Sequence, residues 1–261
     1  METVIRLSAA LGIFVIMAGW ERWRPKRMLQ LGPRQRWPIN LGLAAFNMIL
    51  MGVTIGSFAY LSAVFAQTHG WGMLNLVLTP HWLAVAVTLI LLDFALYAQH
   101  ILMHKWPLLW RLHQVHHTDL EFDVTTAVRF HPLEIVLSML YKVLCILLVG
   151  ADPASVIFFE IVLNGAATFN HSNVDIRPAL DRKLRWLIIT PDMHRIHHSA
   201  RRVETDSNYG FSISLWDRLC GTYTADPKEP QMTMTLGLAP YRKPEELGFL
   251  RLLRLPLKTL R

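Results

Sequence analysis

Residues 83–104 read LAVAVTLILLDFALYAQHILMH, an apolar run that contains one carboxylate, Asp93, and ends on two histidines. The run follows Pro80 and is long enough for a helix that crosses a bilayer, which needs about 20 apolar residues. An ionisable side chain inside such a helix is costly and usually marks a functional position. This stretch therefore predicts a membrane helix with a polar site at its carboxyl end.

Three other apolar regions lie at about residues 3–20, 41–66 and 133–169. The last is too long for one span and is interrupted by Gly150-Ala-Asp-Pro153, which predicts a helical hairpin. The chain of 261 residues is 52% hydrophobic and only 17% charged. We therefore expect an all-α integral membrane protein with about five crossings, made of three spans and the hairpin.

The basic residues predict which side of the membrane each loop faces. Lysine and arginine concentrate in residues 21–38 and after Arg177, whereas residues 67–80 and 150–153 contain none. The positive-inside rule then puts the amino terminus outside, the carboxyl terminus inside and a histidine-rich helical cap in the cytoplasm. The net charge is +7, but the basic residues gather in loops beside apolar runs, as in membrane proteins. This distribution argues against nucleic-acid binding. The sequence contains no recognisable retrieval signal, and we expect a bacterial inner membrane.

Eight of the twelve histidines fall into three short clusters. Spacings of three and four residues place side chains on one face of a helix, so that two imidazoles can reach one metal ion or two adjacent ions. Eight or nine imidazoles exceed the coordination of one ion, which predicts two metals. The clusters are His100-Ile-Leu-Met-His104, His113-Gln-Val-His116-His117 and His194-Arg-Ile-His197-His198.

Four further polar residues are candidates for the site, and we expect a different role for each kind. His171 is expected to be a further ligand, and His131 to have a structural or supporting role. Asp93 and Tyr97 share a helical face with His100, and we interpret both as catalytic residues, with the Asp93 carboxylate holding a ligand imidazole by its other N–H. An Asp93 satisfied by another helix is the alternative.

Imidazole ligands suit zinc, copper, iron and nickel. The metalloprotease pattern HExxH is absent, and an O2-activating pair of irons beside the hydrocarbon boundary explains both the nitrogen-rich ligands and the apolar surroundings. A membrane metal carrier without catalytic activity is the rival interpretation, and it would need a polar path through several spans.

The ordered histidine clusters resemble the fatty acid hydroxylase/sterol desaturase superfamily over about residues 85–225. The resemblance includes Asp93-x3-Tyr97 ahead of His100 and three further segments, His131-Pro-Leu-Glu134, Asn208-Tyr-Gly-Phe211 and Leu215-Trp-Asp-Arg218. It implies two non-haem irons, O2 as co-substrate and electrons from a separate protein of the ferredoxin or cytochrome b5 type. The ligand role that it implies falls on His100, His104, His113, His116, His117, His194, His197 and His198, with His171 as the ninth.

The resemblance implies that the chain hydroxylates a C–H bond of a membrane lipid, whether fatty acyl, sterol or polar lipid. Lipid desaturation and ether-lipid monooxygenation on the same metal site stay open. So does the number of direct ligands, because some members place two histidines near His171, where this chain has Asn170 and Asn173. The expected organisation is membrane spans over 1–84, a catalytic domain over 85–225 and a basic tail over 226–261.

Overall fold

The computed structural model describes residues 2–54, 57–77 and 80–258. Within these ranges the secondary structure is helical, and β-structure is limited to three isolated bridges. The all-α prediction is therefore confirmed. The helices are α1 (Glu2–Trp23), α2 (Pro33–Thr54), α3 (Phe58–His69), α4 (His81–Lys105), α5 (Pro107–His117), α6 (Pro132–Val149), α7 (Pro153–Asn170), α8 (Pro178–Leu184), α9 (Pro191–His197), α10 (Arg202–Thr205), α11 (Leu215–Leu219) and α12 (Phe249–Arg254).

Three of these helices, α1, α4 and α6, are long and apolar enough to cross a membrane. Large apolar side chains on α1 stay exposed, among them Leu11 and Ile16, as expected of a helix that faces lipid. The chain is thus an integral membrane protein. The total of five crossings stays a prediction.

Proline determines where many of the helices begin. Six of them, α2 and α5 to α9, start at a proline. Proline suits the first position of a helix because its ring fixes φ near the helical value and its missing N–H would have no intrahelical partner there. The chain therefore changes direction sharply at several points, and short helices can follow one another closely.

The apolar region at residues 41–66 was predicted as one span, and this prediction is wrong. Helix α2 begins earlier, at Pro33, and ends at Thr54, and α3 begins at Phe58. Residues 55 and 56 lie outside the described residues. Hydropathy alone cannot locate such a break, although the low helix propensity of Gly52, near the end of α2, is consistent with it.

The predicted break between α6 and α7 is confirmed. Gly150 ends α6 in the left-handed conformation at φ 74°, and the Asp152 carboxylate accepts hydrogen bonds from the first backbone N–H groups of α7. Both helices pack against α3 and α4. Their shared core contains Ala63, Leu92 and Phe159, all nearly inaccessible to solvent.

Arg36 was counted among the loop charges, but it is buried within α2 and is only 5% exposed. Its guanidinium donates two hydrogen bonds to Asp119, both at 2.7 Å, and one to Asp123 at 2.5 Å. Burial raises the pKa of Asp119, yet the Arg36 charge outweighs it and holds that pKa well below its ordinary value. These ion pairs fasten α2 to the segment that follows α5.

The carboxyl-terminal tail is packed against the protein. Leu247, Leu252 and Leu255 are buried in one cluster with Leu43 of α2 and Val115 of α5. The segment that contains α12 therefore buries its apolar side chains against α2 and α5. The last three residues of the predicted tail, 259–261, lie outside the described residues.

Replacing Arg36 with methionine should lower the free energy of unfolding by about 3–5 kcal/mol, because two buried carboxylates lose their partner. The measurement is reversible denaturation in detergent micelles. Arg34→Met is the matched control, since Arg34 lies on the same helix and is exposed. Equal stability of the two variants would contradict a structural role for the Arg36 ion pairs.

Candidate metal centre

The first two histidines of the site come from the last turns of α4. His100 and His104 are one helical turn apart, so both rings lie on the same face. The helix ends at Lys105, where Trp106 adopts an extended conformation and Pro107 starts α5. This sharp corner packs α5 against α4 and brings Nε2 of His113 to 3.1 Å from Nε2 of His100.

Each HxxHH box divides between two groups of histidines. In α5, His113 and His117 belong with His100 and His104, whereas His116 faces the end of α7 and the helix α9. The second box divides in the opposite sense, with one member in the first group and two in the second. Positions i and i+4 point the same way along a helix, and the intermediate position reaches sideways. One box can therefore supply ligands to two adjacent ions.

All nine predicted histidines are brought together, and all are buried. Within each group the nitrogens that could bind a metal lie within 4.8 Å of one another. The five-histidine group is His100, His104, His113, His117 and His197, and the four-histidine group is His116, His171, His194 and His198.

Backbone carbonyls fix the protonation of three of these imidazoles. Nδ1 of His100 donates to the Tyr209 carbonyl, Nδ1 of His171 to that of Ala167 and Nδ1 of His197 to that of Ser207, each at 2.7 Å. A neutral imidazole that donates from Nδ1 carries a bare lone pair on Nε2. These bonds therefore aim lone pairs at the centres of the two groups.

Hydrogen bonds among the rings leave several of these nitrogens unsatisfied. Among the described residues, Nε2 of His104, of His197 and of His198 has no hydrogen-bond partner although it is buried, and Nδ1 of His104 has only the Asp206 carboxylate, 3.5 Å away. Buried polar atoms in proteins are normally satisfied. Individually hydrogen-bonded histidines therefore do not explain the arrangement.

Metal ions fit both groups. Nε2 of His171 lies 3.1 Å from Nε2 of His116 and 3.1 Å from Nε2 of His194. Two nitrogens bound at about 2.1 Å from one ion and at right angles to each other would be about 3.0 Å apart. Nine imidazoles in two adjacent groups, with unpartnered nitrogens pointing inward, suit two ions of the transition-metal type.

Burial favours the neutral form of several of these imidazoles. It lowers the pKa of His171 to about 4 and the pKa of His197 to about 3. Burial first, and then neighbouring imidazoles, also lower the pKa of His116, His194 and His198 well below the ordinary value. Metal ligation needs neutral imidazoles, which these surroundings provide.

Glu134 is a carboxylate that holds one of the nine imidazoles, and it was not among the site residues predicted from the sequence. Its Oε1 accepts a hydrogen bond of 2.6 Å from Nδ1 of His113. Such a partner orients the ring and strengthens it as a ligand. In the sequence, Glu134 is the last residue of the segment His131-Pro-Leu-Glu134, which is part of the family resemblance. The available signal was its position in the first turn of an apolar helix, directly after the corner at His131-Pro.

Asp93 does not hydrogen-bond to any of the nine histidines, so the prediction that it holds a ligand imidazole is wrong. Its carboxylate accepts from the Trp216 indole N–H at 2.8 Å and from the Ile213 backbone N–H at 3.3 Å. The Tyr97 hydroxyl lies 2.8 Å from the Thr222 hydroxyl. Both side chains meet the loop around α11 rather than a ring nitrogen, because that loop covers this face of α4.

The loop over residues 207–222 positions two of the histidines through its backbone. The Asp217 carboxylate accepts hydrogen bonds from the backbone N–H groups of Tyr209 and Gly210, at 2.7 and 3.0 Å. Asn208 adopts φ 52°, and its side-chain amide donates to the Met193 and Thr224 carbonyls. The Asn208–Phe211 and Leu215–Arg218 motifs thus hold the carbonyls that receive the Nδ1 protons.

Three histidines lie apart from the two groups. His131 caps the start of α6, where its Nδ1 accepts from the Leu133 N–H and its Nε2 lies 3.2 Å from the Leu253 carbonyl. His69 and His81 are exposed. The contacts of His131 are those of a structural residue.

A cavity of about 210 Å³ opens beside the histidines. It lies between α4, α6 and α7, and His100, His113 and His171 form part of its wall, so it borders both groups. Most of the remaining wall is apolar. Its polar lining includes Gln99, Glu134, Ser138 and Lys142, and the rings of Phe130 and Phe211 lie beside the histidines.

Curated proteins of known activity are similar to this chain. Ornithine lipid hydroxylase OlsE of Rhizobium tropici is 31% identical over 149 residues, which cover 57% of this chain and 44% of that protein. Alkylglycerol monooxygenase of Xenopus tropicalis is 27% identical over 70% of this chain and 38% of its own. Cholesterol 25-hydroxylase of Rattus norvegicus is 24% identical over 57% of this chain and 49% of its own. The chain thus spans less than half the length of these relatives.

No solved structure matches the chain. The family model described as fatty acid hydroxylase matches residues 85–222, which is more than half of the chain and includes all nine histidines of the two groups. This chain, with two buried histidine groups beside an apolar cavity, belongs to the fatty acid hydroxylase family.

Proposed function

We propose that this protein is a membrane-bound non-haem di-iron oxygenase that hydroxylates a C–H bond of a lipid. The observation that carries the proposal is the wall shared by the two histidine groups and the apolar cavity. A lipid segment in that cavity would lie directly against the nitrogens that would hold the metals. Relatives named as lipid hydroxylases and as a monooxygenase support this reaction type.

The balanced reaction converts a C–H bond, O2, two electrons and two protons into an alcohol and water. When bound, the pair of irons would supply the activation of O2. The five-histidine group and the four-histidine group would hold one ion each. The box in α5 would supply His116 to the four-histidine group, and the box at α9 would supply His197 to the five-histidine group. Iron is proposed because redox chemistry with O2 explains a nitrogen-rich site beside hydrocarbon better than a hydrolytic metal does.

The side chains around the metals have separate tasks. Glu134 and the three backbone carbonyls keep the donor imidazoles in the correct tautomer and orientation. Phe130 stacks on His116, with ring centroids 4.4 Å apart, and Phe211 lies 4.9 Å from His100. These rings exclude water from the cavity side of the site, which protects the reacting carbon from side reactions.

The electrons would come from a separate protein of the ferredoxin or cytochrome b5 type, and the substrate from the surrounding membrane. The matched segment supports a catalytic domain over about residues 85–225, between amino-terminal spans and a basic tail. Asp93 and Tyr97 would contribute by holding the loop around α11 in place.

Ether-lipid monooxygenation is a second candidate on the same site, since an alkylglycerol monooxygenase is among the relatives. Lipid desaturation would use the same O2, electrons and protons but would remove a second hydrogen from the neighbouring carbon, giving a C=C bond and a second water in place of the alcohol. A metal carrier without catalytic activity is less consistent with a site that borders an apolar cavity. Mass analysis of the product distinguishes these reactions.

Replacing His197 with alanine should reduce lipid oxidation about 100-fold or more and lower the iron content, because a ligand is lost. The measurement compares lipid extracts from cells that express wild-type protein or the variant, grown under 18O2. The expected product is heavier by one labelled oxygen. The exposed His81→Ala variant should behave as wild type. Full activity of the His197 variant, or an unlabelled product lighter by two hydrogens, would contradict the proposal.

Glu134→Gln should lower the affinity for iron about 10–100-fold, because glutamine keeps the shape but removes the charge that supports His113. Iron bound per chain is measured during titration with a chelator. Glu245→Gln is the control, since Glu245 is exposed and remote in sequence from the histidines. If both variants release iron at the same chelator concentration, Glu134 has no part in metal binding.

We also propose that the histidine groups face the cytoplasm of a bacterial inner membrane, with the amino terminus outside. Cys220 is exposed in the loop that follows α11, close in sequence to the site. In a Cys145→Ser background, a membrane-impermeant maleimide should label Cys220 only after the cells are permeabilised. Labelling of intact cells would reverse the proposed orientation.

A further inference from the structure

Two charged side chains face each other between the membrane helix α6 and its neighbour α7. Nζ of Lys142 lies 2.8 Å from Oε1 of Glu160, and Arg6 of α1 reaches the other oxygen of Glu160 at 2.5 Å. Their side chains are only 14%, 6% and 15% exposed. Ionisable groups in such helices are costly and usually functional.

Lys142 is also part of the wall of the cavity beside the histidines. Glu134, Ser138 and Lys142 follow one another at intervals of four residues on α6, and all three line this cavity. At 1.5 Å per residue, Lys142 is about 12 Å along the helix from Glu134. Because Glu134 holds His113, the stripe runs from the candidate metal centre at one end to an ammonium group at the other.

Between these ends the cavity offers few hydrogen-bonding groups. Gln99 and Ser138 satisfy each other through a bond of 3.1 Å, and Leu96, Met139 and Leu163 contribute apolar surface. An apolar chain segment fits this middle portion. A polar atom of the same molecule would find a charged donor only near Lys142 or at the metal centre.

We propose that Lys142, supported by Glu160, binds an uncharged oxygen of the lipid substrate, so that the carbon to be oxidised lies about 12 Å away at the histidines. This inference rests on the proposed function and adds the substrate class. The substrate would be an amphiphile with a hydroxyl or ester oxygen separated from the reacting carbon by an apolar segment.

The charges around Lys142 favour an uncharged oxygen over a carboxylate. An ammonium group has three N–H donors. Among the described residues, Lys142 donates one hydrogen bond, to Glu160. A remaining N–H can therefore donate to a ligand. Arg6 also pairs with Glu2, so the two cations and two carboxylates of this cluster balance and leave no excess positive charge for a further carboxylate. Such a carboxylate would have to be desolvated next to Glu160 without that compensation. A hydroxyl or ester oxygen avoids these costs.

The test compares 1-dodecanol, dodecanoate and n-dodecane as probes for binding to the metal-loaded full chain in nanodiscs, kept under argon so that no turnover occurs. Partition into empty nanodiscs is subtracted. Wild-type protein should bind 1-dodecanol about tenfold more tightly than n-dodecane, as expected for a hydrogen bond to a charged group. Dodecanoate should bind no more tightly than the alcohol.

Lys142→Met should remove the preference for the alcohol, while Lys183→Met, an exposed lysine on α8, should keep it. The double variant Lys142→Met/Glu160→Leu guards against misfolding of the single variant, because replacing both partners of a buried ion pair with apolar residues is often tolerated and Arg6 keeps Glu2 as a partner. Persistence of the preference in either folded variant would overturn the proposal, as would its absence from wild-type protein.

A second readout needs no variant. A long-chain alcohol with a diazirine next to its hydroxyl should, on illumination, label the part of α6 and α7 around Lys142 and Glu160. Labelling confined to the helices that carry the histidines would place the hydroxyl at the wrong end and overturn the inference. Because neither measurement requires turnover, a chain that binds the alcohol without oxidising lipid would refute the proposed function alone.

Discussion

The site depends on lone pairs that converge in a buried space. His100, His171 and His197 each give their Nδ1 proton to a backbone carbonyl, and this leaves Nε2 bare and directed inward. Burial depresses the pKa of His171 and of His197, so protonation of these rings does not relieve the crowding of lone pairs near neutral pH. Positive ions bound inside the two groups would satisfy these lone pairs.

The surrounding fold maintains this unfavourable arrangement of polar atoms. Prolines turn the chain so that α5 packs back on α4, and the loop over residues 207–222 presents carbonyls at fixed positions. On the opposite side, Arg36 joins α2 to the segment after α5 through buried ion pairs with Asp119 and Asp123. Such groups are costly to bury, and once paired they hold one arrangement of the backbone.

The cavity gives the candidate metal centre an apolar side. It brings apolar wall and metal-binding nitrogens together, and it extends along α6 toward Lys142. A lipid segment can therefore approach the site from within the membrane part of the fold. Because His100, His113 and His171 are themselves part of this wall, the proposed oxygenase is favoured over a metal carrier.

The sequence by itself determined the all-α membrane class, the break between α6 and α7, and the nine histidines of the two groups. Hydropathy and helical spacing are local properties, and the three-and-four spacing of imidazoles needs no knowledge of distant contacts. Only the tertiary structure divided each HxxHH box between two groups, assigned Glu134 to His113 and gave Asp93 to Trp216. It also separated α2 from α3 and buried Arg36 with Asp119. These features depend on which surfaces meet after the helices pack, and partners up to 123 residues apart in the chain leave no local pattern.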